Sequence, residues 1–268
     1  MTIKLIATDM DGTFLNSQND YNRPRFQKLY QKMKEKGVKF VVASGNQYYQ
    51  LKSFFPEIED EISFAAENGS YVVAEGKEIF VAKAPDELVK EVLDILQDFA
   101  GAKALVCGKN SAYMQKGQSQ ELLDYMGQYY YRLKEVDDLH KVIEEDQIFK
   151  LALHFPEDEI DAAYKVLEGK LAGKMDMVIS GFEDIDLLTL GVHKADGIDK
   201  LAAIWNIKPE EMAAFGDSDN DLEMLKYVKH SFAMSNARDT VKEVSSQTIA
   251  SNDEDAVLDK IEELLEEM

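Results

Sequence analysis

The sequence predicts an α/β protein, a doubly wound parallel sheet interrupted by an inserted α+β unit. Three observations carry this expectation. Short apolar runs rich in β-branched residues alternate with helix-period segments over the first 66 residues, a rhythm that calls for a parallel sheet covered on both faces. The rhythm is lost after about residue 83 and returns near residue 186. With 268 residues the chain suits one large domain or two modest ones. The expected division is 1–83 and 186–268 for the two parts of the core, and 84–185 for the insertion.

Residues 3–8 (IKLIAT) read as a buried strand. A helix is expected over 23–36, where Phe26, Leu29, Tyr30 and Met33 share one face and Gly37 supplies the stop. Residues 38–43 form a second strand, 47–55 a helix closed by Pro56, and 62–66 a third strand. Residues 71–73 and 79–81 flank a Glu-Gly turn and read as a hairpin. In the insertion, helices are expected over 86–99, 118–131 and 157–170. Strands are expected over 102–107, near Tyr113, and over 147–153 and 175–179. The core then resumes with strands 187–190, 212–215 and 231–234 and helices 195–206 and 219–227. An amphipathic helix through Val257, Leu258, Ile261, Leu264 and Leu265 closes the chain.

Charge narrows the function classes. Against 51 Asp+Glu stand 30 Lys+Arg, a formal net charge of −21. That opposes nucleic acid, whose affinity comes from cations displacing counterions, and it opposes anionic lipid surfaces. The single cysteine, Cys107, allows neither an internal disulfide nor a paired-cysteine zinc site. Carboxylates appear by residue 9, unlike a signal peptide. No apolar run approaches the roughly 20 residues that span a bilayer. A cytoplasmic location is expected.

The first strand delivers Asp9-Met10-Asp11-Gly12-Thr13. In open parallel sheets, ligands bind beyond the carboxyl ends of the strands. Two carboxylates there repel unless a cation or a shared proton intervenes, and hard oxygen ligands suit Mg²⁺. A calcium loop is excluded, because Phe14 stands at its sixth position, where glycine is required. The second strand ends in Ser44-Gly45-Asn46, a hydroxyl with free backbone N–H groups suited to an anion. Lys194 follows the strand at 187–190 and offers an ammonium to phosphate oxygens; His193 beside it reads as incidental. The strand at 212–215 ends in Gly216-Asp217-Ser218-Asp219-Asn220-Asp221. Four such clusters at one end of one sheet point to a Mg²⁺ and phosphate site.

With those four segments the chain resembles the haloacid dehalogenase superfamily of phosphohydrolases. Asp9 to Thr13 match its DxDGT motif, Ser44 its second motif, Lys194 its third, and Gly216 to Asp221 its GDxxND motif. The insertion resembles the cap of the Cof-type, type IIB subgroup, and the core stretches are similar to bacterial sugar phosphatases of that subgroup. The resemblance implies a Rossmann-like core with a type IIB cap, and small phosphate esters, above all sugar phosphates, as substrates. It implies Asp9 as nucleophile and Asp11 as acid and base. Mg²⁺ would be held by Asp9, the Asp11 backbone carbonyl and Asp217. The backbone of Met10, with Ser44, Gly45, Lys194 and Asn220, would bind phosphate, and Asp221 would orient Lys194 or a metal-bound water. Phosphatases of pyridoxal or flavin phosphates, sugar phosphomutases and a non-catalytic metal-binding regulator share the same core. In the insertion, Ser180-Gly181-Phe182 and His154 are candidates for sugar contacts. Two departures stand out: Asn46 occupies a position where many relatives carry Arg, and Asp219 adds a charge to the fourth motif.

Overall fold

The computed structural model describes residues 2–179 and 184–268. Its first half carries β1 (Leu5–Thr8), α1 (Arg23–Lys36), β2 (Lys39–Ala43), α2 (Tyr48–Ser53), β3 (Ser63–Ala66), β4 (Tyr71–Ala74) and β5 (Lys77–Val81). There follow α3 (Asp86–Leu96), β6 (Lys103–Gly108), β7 (Ala112–Gln115), α4 (Gln120–Gly127), β8 (Leu133–Val136), α5 (Leu139–Glu145), β9 (Ile148–His154), α6 (Ile160–Leu171), β10 (Met175–Ile179) and β11 (Asp184–Thr189). The chain ends with α7 (Lys194–Trp205), β12 (Met212–Gly216), α8 (Leu222–Tyr227), β13 (His230–Ala233), α9 (Asp239–Val244), β14 (Gln247–Thr248) and α10 (Ala256–Glu266). Among the described residues, no helix is long and apolar enough to cross a membrane.

The described chain forms two compact units, Met1–Phe80 with His193–Met268, and Val81–Val192. The first holds a sheet in the order β14-β13-β12-β1-β2-β3-β4-β5. From β14 to β3 every neighbouring pair is parallel, and β4 adds antiparallel to β3. Strands β1, β3 and β12 are buried along their whole length. That explains their unbroken apolar sequences, since a strand covered on both faces has no solvent side to mark with polar residues. Helix α1 starts from the Asn22 side chain, which accepts the Arg25 N–H, and stops at Gly37 with φ +72°. The strand order runs outward from β1 in both directions, so the crevice between the ends of β1 and β12 is a topological switch point.

The second unit holds a sheet in the order β10-β11-β9-β6-β7-β8. Its pairs are antiparallel except β7 with β8. Leu151, Leu153, Ile185 and Leu187 from the sheet form one core with Val89 and Val92 of α3, Val142 of α5 and Leu167 of α6. Here one expectation is corrected. The strand expected over 187–190 as a return to the core sheet is β11, which lies between β9 and β10 in the second sheet. Its alternation of Asp184 and Asp186 with Ile185 and Leu187 suits a sheet with one face on a core, not a strand buried on both. Strand β8 and helix α5 are additions to the sequence reading. Asp138 followed by Leu139, Val142 and Ile143 is a capped, short amphipathic turn, and Asp138 does accept the His140 N–H.

Candidate active site

Asp9 follows β1 directly, and its N–H donates to the Phe215 carbonyl of β12 at 3.0 Å, tying it across the switch point. The chain then makes a wide turn over Met10–Phe14, closed by the Leu15 N–H on the Met10 carbonyl at 2.8 Å. Glycine is required at position 12 twice over. Its φ is +70°, and a Cβ there would lie 2.7 Å from Asp217 Oδ2. Phe14 anchors the turn, its ring 4.8 to 5.9 Å from those of Tyr21, Phe26, Phe40 and Phe55. The Met10 side chain is fully buried, so only its backbone is offered to a ligand.

Lys194 is the first residue of α7 and has no exposed surface. Its Nζ lies 2.8 Å from Asp9 Oδ1 and 2.7 Å from Asp221 Oδ1. Small residues allow α7 to approach this closely. A Cβ on Gly197 would fall 2.6 Å from Ala65 Cβ, and one on Gly69 (φ +89°) 2.3 Å from the His193 carbonyl. His193, expected to be incidental, is the N-cap, and its N–H donates to Asp196 Oδ2 at 2.9 Å.

Asp221 Oδ2 accepts the N–H groups of Asp217 (2.9 Å) and Ser218 (3.1 Å), and a Cβ on Gly216 would crowd the same carboxylate at 2.6 Å. Asp217 accepts Thr13 Oγ1–H at 2.7 Å and Ser218 Oγ–H at 3.0 Å. The added charge of Asp219 is taken up by Arg238 and by Thr240, whose hydroxyl donates at 2.7 Å.

One oxygen from each of Asp9, Asp217 and Asp221 lies within 4.8 Å of the others. Burial pushes the Asp9 carboxyl well above the usual range, the Asp221 and Asp217 charges push it further, and Lys194 opposes them. Burial also raises Asp217, against the Thr13 hydrogen bond. Burial alone would lower Lys194, but Asp221 and Asp9 outweigh it and hold the ammonium above its ordinary range. Three desolvated carboxylates against one ammonium favour a further cation. An all-oxygen donor set of this charge fits Mg²⁺.

The Asp11 carboxylate is not a member of that cluster. It is exposed, and its Oδ2 accepts Asn46 Nδ2–H at 2.5 Å. Ser44 is 1% exposed; its Oγ accepts the Asn46 N–H at 3.2 Å. Because α2 begins only at Tyr48, Ser44 is not a helix cap. Asn68, which the sequence reading missed, joins two of the expected segments. It sits in the left-handed region at φ 55°. Its N–H donates to the Ser44 carbonyl (3.0 Å), and its Oδ1 accepts Asn220 Nδ2–H (3.1 Å). The signal was available: Glu67-Asn68-Gly69 is a turn sequence at the same end of the sheet. In the second unit, His154 Nδ1 lies 2.9 Å from Asp184 Oδ1. Ser180-Gly181-Phe182 lies outside the described residues.

The buried lysine, the acidic trio and the Ser44 hydroxyl lie together at the switch point, where a sheet of this kind binds its ligand. Residues 6–261 match the haloacid dehalogenase-like hydrolase family, and the chain belongs to it. Over 265 residues it is 44% identical to the Escherichia coli (strain K12) protein named 5-amino-6-(5-phospho-D-ribitylamino)uracil phosphatase YbjI, covering 99% of this chain and 97% of that protein. The crystal structure of SMU.1108c from Streptococcus mutans UA159 superposes with a TM-score of 0.88 at 34% identity, covering 99% of this chain and 100% of that one. The subclass IIB sugar phosphatase BT4131 shares the fold, with a TM-score of 0.79 at 20% identity over 97% of this chain and 98% of that one.

Proposed function

We propose that the chain is a Mg²⁺-dependent phosphomonoesterase working through an aspartyl-phosphate on Asp9. The observation that carries this reading is the Asp9–Lys194–Asp221 chain of buried ion pairs at the switch point. A free oxygen of Asp9 attacks phosphorus, the ester P–O bond breaks, and its electron pair goes to the leaving oxygen, which takes a proton from the Asp11 carboxyl. Asp11, now a carboxylate, then removes a proton from the water that opens the acyl phosphate and returns Asp9. Ser44, the Gly45 N–H, Asn220, Lys194 and the Met10 backbone hold the phosphoryl oxygens. Asp9, the Asp11 carbonyl and Asp217 would hold Mg²⁺, which supplies neutralisation of phosphate charge when bound. Asp221 orients Lys194 and the 217–218 loop.

The leaving group we assign is a polyol chain phosphorylated on a primary carbon. The 44% identical relative supports this, because the substrate in its name is a ribityl 5-phosphate attached to an aminouracil. Sugar phosphates, the expectation from the motifs, are the second reading and share the phosphorylated polyol. Phosphate contacts are alike for every ester, so discrimination falls to residues that meet the leaving group, and the inserted unit is our assignment for that role. We assign the enzyme to the cytoplasm, a reducing compartment with which a single cysteine is consistent.

Phosphate release tests both levels. The ribitylaminouracil phosphate and pentose or hexose phosphates should exceed simple alkyl phosphates in kcat/KM by at least roughly tenfold, about 1.4 kcal/mol. A polar site left unpaired by an analogue lacking hydroxyls accounts for the difference. EDTA should abolish turnover and Mg²⁺ restore it. Full activity in EDTA removes the metal, and equal rates on all esters remove the polyol assignment. Preference among the polyol phosphates separates the flavin-precursor reading from the sugar reading.

A further inference from the structure

Asn46 follows Ser44 and Gly45 just past the end of β2, and the geometry gives it specific work. Its backbone is held on both sides: its N–H donates to Ser44 Oγ at 3.2 Å, and its carbonyl accepts the Glu67 N–H at 3.2 Å. From that fixed base its Nδ2 reaches Asp11 Oδ2 at 2.5 Å. This is the one side-chain hydrogen bond that Asp11 makes among the described residues. Asp11 is otherwise an exposed carboxyl on a turn, and such a group samples several rotamers in water. A donor anchored through its own main chain removes that freedom at small entropic cost. The amide is neutral and short. It orients the carboxyl without competing, as a guanidinium would, for phosphoryl oxygens.

We propose that Asn46 is the positioning residue of the leaving-group step. It occupies Asp11 Oδ2, which leaves Oδ1 to carry the proton delivered to the departing oxygen. This rests on Asp11 being the acid. As the P–O bond breaks and its electron pair moves onto the leaving oxygen, the proton on Oδ1 transfers to that oxygen, and Asp11 is left as a carboxylate facing the Asn46 amide. A departing alkoxide depends on this proton, whereas a dinitrophenolate leaves without it.

The test is single-turnover phosphoryl transfer in the Mg²⁺-loaded enzyme, with an alkyl phosphate and 2,4-dinitrophenyl phosphate as probes. General acid catalysis contributes roughly 10²–10⁴-fold, so loss of its positioning in Asn46→Ala should slow the alkyl ester by about tenfold or more. The dinitrophenyl ester should stay within roughly twofold, since its leaving group needs no proton. Asn46→Gln, which keeps the amide donor, should recover part of the alkyl rate, and Asn46→Ser gives a second deletion should the alanine variant fold poorly. Equal slowing of both esters, or none of the alkyl ester, overturns the proposal. Asp11→Asn measured in parallel separates the two levels. If it slows both esters equally, Asp11 is not the acid and the proposal falls with that reading. If it is selective for the alkyl ester while the Asn46 variants are not, only the positioning role falls.

Discussion

Asp9→Asn should eliminate the phosphoenzyme and lower kcat/KM by on the order of 10³-fold or more, about 4 kcal/mol of transition-state stabilisation at roughly 1.4 kcal/mol per tenfold. The substitution keeps the side chain's size and removes its nucleophilic charge. Trapping with radiolabelled substrate and acid quench reads the phosphoenzyme directly. Asp11→Asn should lose a comparable factor while still allowing phosphorylation of Asp9 by an activated aryl phosphate. The two aspartates are separable because the fold treats them differently. Asp9 is buried against Lys194, whereas Asp11 is exposed and held by Asn46. A mild effect of Asp9→Asn would overturn the covalent route.

Lys194→Met should cost about 3–5 kcal/mol of folding stability, the range for breaking a buried ion pair by removing one partner. The methionine fills most of the volume, so the loss reports charge and not a cavity. What is left behind is a pair of carboxylates, Asp9 and Asp221, that both lost a contact of 2.8 Å or less. Denaturant midpoints in EDTA, compared with wild type at fixed pH, read the effect. Its pH dependence follows from Asp9. Burial raises that carboxyl above 3.8 in the folded chain, so the folded state binds the proton more tightly than the unfolded one. Metal-free stability therefore falls as pH rises from about 3.8 through the raised folded value. Removing Lys194, which opposes that rise, widens the window, and the penalty of the variant should shrink on acidification. A loss that is small and flat with pH would mean that the ion pairs carry little energy.

Much of the site was legible because its signals are local. An apolar run long enough for a strand, followed by Asp-Met-Asp-Gly-Thr or Gly-Asp-Ser-Asp-Asn-Asp, announces a strand end with acidic ligands whatever its neighbours are. Gly12 announces itself in the same way, since the turn needs positive φ. The contacts that were missed, and Asn68 with them, act across long separations. Asn68 and Asn220 are 152 positions apart, and Thr13 and Asp217 are 204 apart. No periodicity links such pairs. His193 looked incidental because a cap is recognised only once the helix start is known.

The sequence by itself determined the α/β class, the interruption of the core, the acidic charge that disfavours polyanions, and the strand ends that carry the chemistry. Each of these follows from hydrophobic period, turn residues and net charge, which need only neighbours along the chain. Tertiary structure alone decided which sheet takes β11, because an alternating strand specifies an apolar face but no partner. It also decided that Asp221 is occupied by Lys194 and loop amides, that Asp219 is neutralised by Arg238, and that Asp11 leans on Asn46. Those assignments depend on distances between strand ends. Distances are set when β1, β2 and β12 pair in one parallel register and α7 packs down through Gly197 onto Ala65.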